Sequence, residues 1–277
     1  VTLQDISCVG RCSITVALPV ISAMGVECGI LPTAVLSTHT MFKTFTCKDL
    51  SDQIGPIADA WKQENITFDA VYTGYLASAE QCSQVCAFFD RFYDGNNLIL
   101  VDPAMADNGS LYPAFDESFP AEMAKVCAKA DIILPNITEA CLLTGTPYKT
   151  SYDESYIHEL LKKLLALGCH TAALTGVSYE KGRLGVVSLD RNGDTFSYFT
   201  RHCPQSYHGT GDLYSSTVLG GLMRGLSLGN ALSLAADFVV ACIEATASAE
   251  NTRWYAVEFE SQIPLLCEML DQRLKNN

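Results

Sequence analysis

His208-Gly209-Thr210-Gly211-Asp212 is the stretch on which the interpretation of this chain turns, and it opens a long apolar helical pattern from Leu213 to Leu226. Glycines let backbone N–H groups approach an anion closely, and a helix N-terminus directs those groups toward it. An anion repels a neighbouring carboxylate, so Asp212 suggests a base that takes a proton from a hydroxyl during phosphoryl transfer. The alternative is a tight turn in which Asp212 caps the helix.

Short apolar runs alternate with amphipathic helical patterns before this stretch. The strands predicted from the apolar runs are Ile30–Leu36, Ala70–Thr73, Leu98–Val101, Ile132–Leu134 and Thr171–Leu174. The helices predicted between them are Ile14–Met24, Leu50–Glu64, Ser78–Tyr93, Ala121–Lys129 and Ser155–Leu167. This alternation predicts an α/β fold with a doubly wound, mostly parallel central sheet flanked by helices on both faces.

The pattern changes after Gly176. The runs 184–189 and 195–199 flank Arg191-Asn192-Gly193-Asp194, which predicts a β-hairpin with an Asn-Gly turn at the edge of the parallel sheet. Helical patterns then follow at 213–226, 230–247 and 258–274. Since no linker or internal repeat interrupts the chain, we expect residues 1–277 to form a single domain.

The composition limits the partners and the compartment. The formal net charge is −13 and there is no basic run, which argues against nucleic acid or an anionic membrane as a partner. No stretch approaches the roughly 20 apolar residues of a membrane span, and the start of the chain lacks the basic region of a signal peptide. The twelve cysteines are scattered without a Cys-x-x-Cys pair, which favours free thiols in a reducing, cytoplasmic compartment.

Polar residues follow the predicted strands. They are 37–40 (Ser-Thr-His-Thr), Gly74-Tyr75, Asp102-Pro103 and 135–139 (Pro-Asn-Ile-Thr-Glu). Ligands of open α/β sheets bind beyond the carboxyl ends of the strands. We therefore expect these segments and 209–212 to converge on one edge of the sheet.

These residues resemble a known family. Gly-Thr-Gly-Asp at 209–212, Asp-Pro at 102–103 and Asn-x-x-Glu at 136–139 resemble the ribokinase-like small-molecule kinases. Ser-Thr-His-Thr at 37–40, the segment 74–81 (Gly-Tyr-Leu-x-Ser-Ala-Glu-Gln) and Asp-Pro-x-Met at 102–105 resemble the pyridoxal/pyridoxamine (vitamin B6) kinases in particular. The resemblance covers residues 5 to 246. It implies ATP-dependent phosphorylation of the 5′-hydroxymethyl group of pyridoxal, pyridoxamine or pyridoxine, with Mg²⁺ as a cofactor.

The resemblance also assigns residues to catalysis. It implies that Asp212 is the base and that the N–H groups of Gly209, Thr210 and Gly211 form the anion hole for the transferring phosphoryl group. It places Glu139 near Mg²⁺ through water, although an acid in the first turn of a helix is the structural alternative. Asp102 would orient metal or phosphate, with an Asp-Pro turn as the alternative.

Further residues are assigned to the two substrates. Asn136, Thr175 and Gly176 would contact the phosphates or the ribose of ATP. Ser7, His39, Thr40 and Tyr75 would line the pocket for the pyridine alcohol, with Tyr75 offering a flat face and Ser7 and Thr40 offering hydrogen bonds. The segment 40–50 next to this pocket is interpreted as a lid that excludes water.

One loop departs from the family. Many B6 kinases carry a Gly-His-x-Gly-Asn-like stretch after the first strand, whereas this chain has Gly10-Arg11-Cys12-Ser13-Ile14. The roles of Arg11 and Cys12 stay open. The departure puts substrate identity in doubt more than reaction type, so a hydroxymethylpyrimidine kinase of the same fold is the alternative.

The sequence disfavours two other functional classes and leaves three properties of the protein undetermined. A non-catalytic ligand-binding protein would be favoured by a degenerate motif, but Asp212 and Glu139 are both present. A nucleotide-dependent oxidoreductase would need a Gly-x-Gly-x-x-Gly turn, which the early glycines do not make. The preferred alcohol and a monovalent-cation requirement are not determined. The oligomer is not determined either, although a homodimer is expected and the apolar pattern 14–24 is one candidate interface.

Overall fold

A computed structural model describes residues 1–276, so the predicted domain of 1–277 is described except for its last residue. A nine-stranded sheet runs through the molecule in the order β11-β10-β9-β8-β5-β4-β1-β2-β3. Its strands are β1 (Thr2–Ser7), β2 (Ile30–Leu36), β3 (Cys47–Asp49), β4 (Ala70–Thr73), β5 (Leu98–Val101), β8 (Ile132–Ile133), β9 (Thr171–Val177), β10 (Arg183–Asp190) and β11 (Thr195–Arg201). Strands β6 (Ala106–Asp107) and β7 (Ser110–Leu111) form a separate small hairpin.

Helices cover both faces of the sheet. They are α1 (Ile14–Ala23), α2 (Ser51–Gln63), α3 (Ala79–Phe92), α4 (Phe119–Cys127), α5 (Ile137–Thr144), α6 (Glu154–Leu167), α7 (Thr210–Met223), α8 (Leu228–Ser248) and α9 (Ile263–Lys275). The apolar side chains form two cores, one on each side of the sheet. Helices α2 to α6 supply the first core and α1, α7, α8 and α9 the second. Strands that are covered on both faces are apolar throughout, which explains the continuous apolar runs in the sequence.

The fold class is confirmed. Strands β2, β1, β4, β5, β8 and β9 pair in parallel, so their carboxyl ends lie at one edge of the sheet. The predicted hairpin is β10–β11, which joins the sheet antiparallel through β9 at one lateral edge. Gly193 in the turn has φ = 92°, a conformation that glycine adopts without strain.

Two strands differ from the sequence analysis. β1, for which no bounds were predicted, contains the polar residues Thr2, Gln4, Asp5 and Ser7, all of them buried. β3 lies within the segment that was interpreted as a lid, and it pairs antiparallel with β2 from Ala34↔Asp49 to Leu36↔Cys47. Backbone pairing therefore holds residues 47–49 at the sheet edge, and the lid role of the segment stays a prediction.

The apolar pattern 14–24 does not form a free surface. Val16, Ala17, Val20 and Ile21 are buried within the chain's own second core, where α1 packs against α7, and Ile14 is buried as well. The buried face of α1 is therefore not available as a dimer interface, whereas Pro19 and Ser22 on its other face are exposed. The dimer interface stays a prediction. The pattern is apolar because it faces the sheet and α7.

Helix α8 contradicts the expectation about apolar length. By length and composition alone it is long and apolar enough to cross a membrane. Half of an apolar 18-residue stretch of this helix is buried in the fold. Its Asp237 accepts hydrogen bonds from the Tyr198 hydroxyl and from Arg273. The apolar composition thus reflects packing against α7 and β11, which hydropathy cannot distinguish from membrane burial.

Gly185 in β10 provides a test of the close packing between β10 and β11. A Cβ at this position would lie 2.0 Å from the Tyr198 carbonyl oxygen of the paired strand, so Gly185→Ala must displace backbone. We expect a loss of about 1–3 kcal/mol in the free energy of unfolding, measured by urea denaturation. Gly29→Ala is the matched control, since its Cβ would meet its first neighbour at 3.7 Å. Equal stability of the two variants would contradict this packing.

Candidate active site

The N-terminus of α7 carries unpaired backbone donors. Gly209 is its N-cap, with φ = 85°. A Cβ on Gly209 would lie 2.1 Å from the carbonyl oxygen of Arg11, so only glycine fits against the β1–α1 loop. The first N–H groups of a helix have no partner inside the helix and lie at the positive end of its dipole. The segment 209–211 therefore presents N–H groups that suit an anion.

Asp212 lies in the first turn of α7, at the end of the cradle formed by 209–211. Its side chain is half-buried, and burial raises its pKa from 3.8 to about 7. The charge of Asp102 raises this pKa further and Asp5 adds a smaller effect, while the backbone N–H of Ser13 lowers it. A carboxylate with a pKa near neutrality can take up and release a proton, which is the property required of a general base.

Asp102 directly follows β5, and its charge acts on Asp212. It is 7% exposed, and the Ser215 hydroxyl of α7 donates to its Oδ2 at 2.7 Å. Burial raises the pKa of Asp102 to about 6, and the hydrogen bond from Ser215 opposes that rise. Asp102 is therefore joined to α7 by a side-chain hydrogen bond, beyond forming an Asp-Pro turn.

Glu139 is part of a capping box at the start of α5. Its Oε2 accepts the N–H of Asn136 at 2.8 Å, its Oε1 accepts the N–H of Met105 at 3.1 Å, and it is 3% exposed. Burial and the charge of Asp102 raise its pKa well above the ordinary value. Glu139 thus lies in the first turn of α5, as the structural alternative expects. The charge of Asp102 acts on it, so two buried carboxyl groups influence this part of the site.

The carboxyl groups of Asp102 and Glu139 are candidate ligands for a divalent cation. Within residues 1–276, no three or more His, Cys, Asp or Glu side chains are grouped so as to hold a metal ion by themselves. Mg²⁺ typically keeps several waters and uses one or two carboxylates together with substrate phosphates. Asp102 and Glu139 are both buried, and the charge of Asp102 raises the pKa of Glu139. Two such carboxyl groups fit that mode of binding.

Asp5 and two serines form a buried cluster on the other side of Asp212. The Ser13 hydroxyl donates to Asp5 Oδ1 at 2.6 Å and the Ser7 hydroxyl donates to Asp5 Oδ2 at 2.9 Å. Ser7 and Asp5 are 1% and 4% exposed. The predicted substrate residue Ser7 is therefore held by a carboxylate that the sequence analysis did not single out.

His39 lies in an aromatic cluster beside this carboxylate. Its Nε2–H donates to the Tyr255 carbonyl at 2.8 Å, while its Nδ1 accepts the N–H of Met41 at 3.2 Å, which is the pattern of a neutral imidazole. Its ring lies 4.3 Å from that of His208 and 4.9 Å from that of Phe42. Burial lowers the pKa of both histidines, that of His208 to about 4.

The remaining predicted substrate residues lie at the same edge. Thr40 is exposed directly after His39. Tyr75 packs at 5.4 Å from Phe115, and its pKa is raised to about 12 by burial, with contributions from Asp5 and Cys47. Gly74 lies against the Gln4 side chain, which a Cβ would meet at 2.9 Å. Close packing, rather than open space for a ligand, explains this glycine.

A cavity of about 250 Å³ lies against the α7 N-terminus. Its lining includes the polar or small residues Thr175, Gly176 and Thr210 and the largely apolar side chains of Tyr207, Val239 and Ile243. Asn136 lies nearby, bridged to Thr175, and its amide is engaged with the Ala106 carbonyl and the Glu139 N–H. The cavity thus joins an apolar compartment to the N–H groups of α7.

The loop that departs from the family has a defined structure. Arg11 and Ser13 have φ values of 52° and 51°, which are uncommon for residues other than glycine. Arg11 pairs with Glu260 at 2.8 Å, which attaches the loop to the segment before α9. Cys12 is buried and its thiol pKa is raised by burial and by Asp212, which disfavours the reactive thiolate form.

Asp5, Ser13 and Ser215 were missed by sequence reasoning. A signal for Asp5 exists, since it is a charged residue inside a strand and a serine follows two positions later on the same face. Ser215 lies three residues after Asp212 on the same helix, but nothing in the sequence indicates that it contacts Asp102.

Comparisons with known proteins agree with this geometry. The family model described as phosphomethylpyrimidine kinase matches residues 15–255. A hydroxymethylpyrimidine/phosphomethylpyrimidine kinase of Bacillus subtilis is 28% identical over 247 residues, which are 88% of this chain and 82% of that protein.

Two solved structures are also similar. A crystal structure described as a phosphomethylpyrimidine kinase of Bacteroides thetaiotaomicron, in a form with pyridoxal, has a TM-score of 0.91 at 36% identity. The match covers 96% of this chain and 94% of that one. Pyridoxal kinase of Lactobacillus plantarum has a TM-score of 0.89 at 32% identity, and the match covers 98% and 97% of the two chains.

The burial of Asp212 has a consequence for stability. Because its pKa is 3.8 ordinarily and about 7 in the fold, ionisation destabilises the folded state progressively between these pH values and at full cost above them. We expect Asp212→Asn to raise the free energy of unfolding at pH 8 by about 1–3 kcal/mol, less than the full shift implies because the side chain retains some solvent contact.

The extra free energy of unfolding of the Asp212→Asn variant should shrink as the pH falls from about 7 to about 4. Denaturation at several pH values would measure this change. Asp271→Asn is the control, since Asp271 is exposed on α9. A variant at position 212 no more stable than this control would show that Asp212 ionises in the fold without cost.

Proposed function

We propose that this chain, which belongs to the phosphomethylpyrimidine kinase family and is an ATP-dependent small-molecule kinase, phosphorylates the 5′-hydroxymethyl group of a vitamin B6 vitamer. The observation that carries the proposal is the carboxylate of Asp212, with a pKa near 7, beside the free N–H groups at the N-terminus of α7. Phosphoryl transfer needs positioning and charge stabilisation above all, and these groups supply both.

In the proposed reaction, Asp212 accepts the proton of the hydroxymethyl group as its oxygen attacks the γ-phosphorus of ATP. The bond between that phosphorus and the β,γ-bridging oxygen breaks, and ADP leaves with the bonding electrons. Negative charge on the transferring phosphoryl oxygens is stabilised by the N–H groups of Gly209, Thr210 and Gly211. A neutralised Asp212 then no longer repels the phosphorylated product.

The cavity beside α7 is the proposed site for the nucleotide. Its apolar walls, including Val239 and Ile243, suit a purine base, and Thr210 at the α7 N-terminus also lines it. ATP bound in this way would direct its phosphates past Thr175, Gly176 and Thr210 toward Asp212. Asn136 keeps one amide hydrogen that is not used by the Ala106 carbonyl and is proposed to contact phosphate.

Mg²⁺ is proposed to act with ATP at the two buried carboxyl groups. Asp102 would hold the ion or the phosphates it carries, and Glu139 would act through water because both of its oxygens already accept backbone N–H groups. When bound, the ion supplies positive charge to the phosphate oxygens. The two residues orient that charge and are relieved of their mutual repulsion.

The acceptor pocket is proposed to comprise Ser7, His39, Thr40 and Tyr75. Neutral His39 and the Tyr75 ring offer flat faces, and the Ser7 hydroxyl offers a polar contact. The relatives from Bacteroides thetaiotaomicron, with its pyridoxal, and from Lactobacillus plantarum support a B6 vitamer. The Bacillus subtilis relative supports hydroxymethylpyrimidine as the second candidate, which has the same acceptor group.

Three further features belong to the proposal. Residues 1–277 would act as one domain around the central sheet, and the chain would work in the cytoplasm. All twelve cysteines are free, which suits a reducing compartment. A homodimer is proposed, at a surface other than the buried face of α1.

The deciding experiment measures ATP consumption against a panel of alcohols and identifies the product by mass. The panel contains pyridoxal, pyridoxamine, pyridoxine and hydroxymethylpyrimidine. A gain of one phosphoryl group on a B6 vitamer, with a higher kcat/KM than for the pyrimidine, is the expected result. A preference for the pyrimidine would select the second candidate, and phosphorylation of neither would refute both.

Asp212→Asn tests the base. With a base of pKa about 7, kcat/KM of the native enzyme should rise with pH and reach half of its plateau near pH 7. The variant should bind ATP and alcohol with nearly unchanged Kd and lose turnover by about 10²- to 10⁴-fold. Stopped assays across pH and calorimetric titrations measure the two effects. Near-normal turnover by the variant would remove the assignment.

Glu139→Gln tests the metal role. One of the two N–H contacts at position 139 would be lost and the local negative charge reduced, so the Mg²⁺ concentration for half-maximal rate should rise by about 10-fold. Glu268→Gln on α9 is the matched control, since Glu268 is exposed. An unchanged Mg²⁺ titration in a folded Glu139→Gln variant would exclude the role.

A further inference from the structure

Asp5 is a charged side chain inside the sheet, and its burial requires compensation. It lies in β1 and is 4% exposed. A buried carboxylate is costly unless its oxygens accept hydrogen bonds. Here each oxygen accepts one hydroxyl, from Ser13 at 2.6 Å and from Ser7 at 2.9 Å. Both hydrogen bonds lower the pKa of Asp5 and oppose the rise caused by burial.

This arrangement determines the hydrogen-bonding character of Ser7. A serine hydroxyl has one hydrogen to donate and two lone pairs to accept with. Because its hydrogen is directed to Asp5 Oδ2, Ser7 has only lone pairs left for any other partner. A group that meets Ser7 in the pocket must therefore bring a hydrogen of its own.

Asp5 faces the candidate acceptor pocket from within the sheet. Its charge acts on the ionisation of His39 after β2, Cys47 in β3, Tyr75 after β4, Cys12 in the β1–α1 loop and Asp212 on α7. These residues come from five separate segments that meet at the carboxyl edge of the sheet. The buried Asp5–Ser7 pair therefore lies within electrostatic reach of all five segments.

We propose that Asp5 is a specificity-determining residue: by taking the hydrogen of Ser7, it makes Ser7 an obligate acceptor that selects a pyridine alcohol with a protonated ring nitrogen. The inference rests on the proposed function, in that Ser7 contacts the heteroaromatic substrate. It goes further by assigning the protonation state in which that substrate binds.

The ring nitrogen is the substrate group on which this selection acts. A phenolic hydroxyl can rotate to donate or accept, so the polarity of Ser7 does not discriminate there. A pyridine nitrogen donates only when protonated and accepts only when neutral. An unprotonated ring nitrogen would place two lone pairs against each other and leave both unsatisfied, which is the more costly case in a buried site.

The test compares two ligands that differ in the basicity of this nitrogen. Pyridoxine is titrated calorimetrically against its derivative with fluorine next to the ring nitrogen, which keeps the nitrogen unprotonated. The native enzyme should bind the fluorinated ligand about 10-fold more weakly or worse. Asp5→Ala, which releases the Ser7 hydrogen, should reduce the ratio of the two Kd values to about 3-fold or less. Asp5→Asn, with one acceptor oxygen for two serines, is the second variant.

Ser13→Ala is the matched control. It breaks the other half of the Asp5 bridge and leaves the Ser7 hydrogen on Asp5, so the Kd ratio should stay at the native value. Ser7→Ala removes the acceptor hydroxyl, so the Kd ratio of this variant measures any steric cost of the fluorine. A ratio that falls equally in the Asp5 and Ser13 variants would indicate a merely structural role.

The native enzyme alone can refute the inference. If it binds both ligands equally and phosphorylates pyridoxine, the obligate-acceptor role of Ser7 is wrong while the proposed function stands. If it phosphorylates no B6 vitamer, the proposed function itself is wrong and the inference falls with it.

Discussion

The close contact between the Arg11 carbonyl and Gly209 is the constraint on which the site depends. It leaves no room for a Cβ at position 209, where the backbone is also left-handed, and it brings the β1–α1 loop onto the first turn of α7. The same approach places the Ser13 N–H beside Asp212 and the free N–H groups of 209–211 at the open edge of the sheet. A helix N-terminus is a general feature of proteins, but here two chain segments about 200 residues apart in the sequence are required to make it a site.

Negative charge accumulates at this edge, at a cost to the fold. Asp5, Asp102, Glu139 and Asp212 are buried or half-buried, and burial raises the pKa of each. Each has compensating donors: serine hydroxyls at Asp5 and Asp102, and backbone N–H groups at Glu139 and Asp212. Stored electrostatic strain of this kind is typical of functional sites. A bound cation or a proton reduces the repulsion among these carboxyl groups, and phosphoryl transfer supplies both.

Much of the fold could be predicted from the sequence because its signals are local. The parallel strands are short apolar runs, and β4 and β5 were predicted with the bounds that the structure has. The hairpin is marked by its Asn-Gly turn.

The prediction failed where the structural signal was not local. β3 is polar and exposed, and it exists only because β2 pairs with it. The long apolar pattern of α8 would look the same in a protein core as in a membrane. At the site, Asp212, Glu139 and Asp102 were identified by their positions after strands or at helix starts, and their catalytic and metal roles stay predictions.

By itself, the sequence determined the alternation of strands and helices, the residues that follow each strand and the glycines at the start of α7, because each depends on neighbours within a few positions. Only the tertiary structure decided how these residues act on one another. The hydrogen bonds from Ser7 and Ser13 to Asp5, and from Ser215 to Asp102, join groups whose ionisation depends on burial and on charges from distant segments. Hydrogen-bond polarity and pKa are properties of the assembled environment, so no reading of residue order could have assigned them.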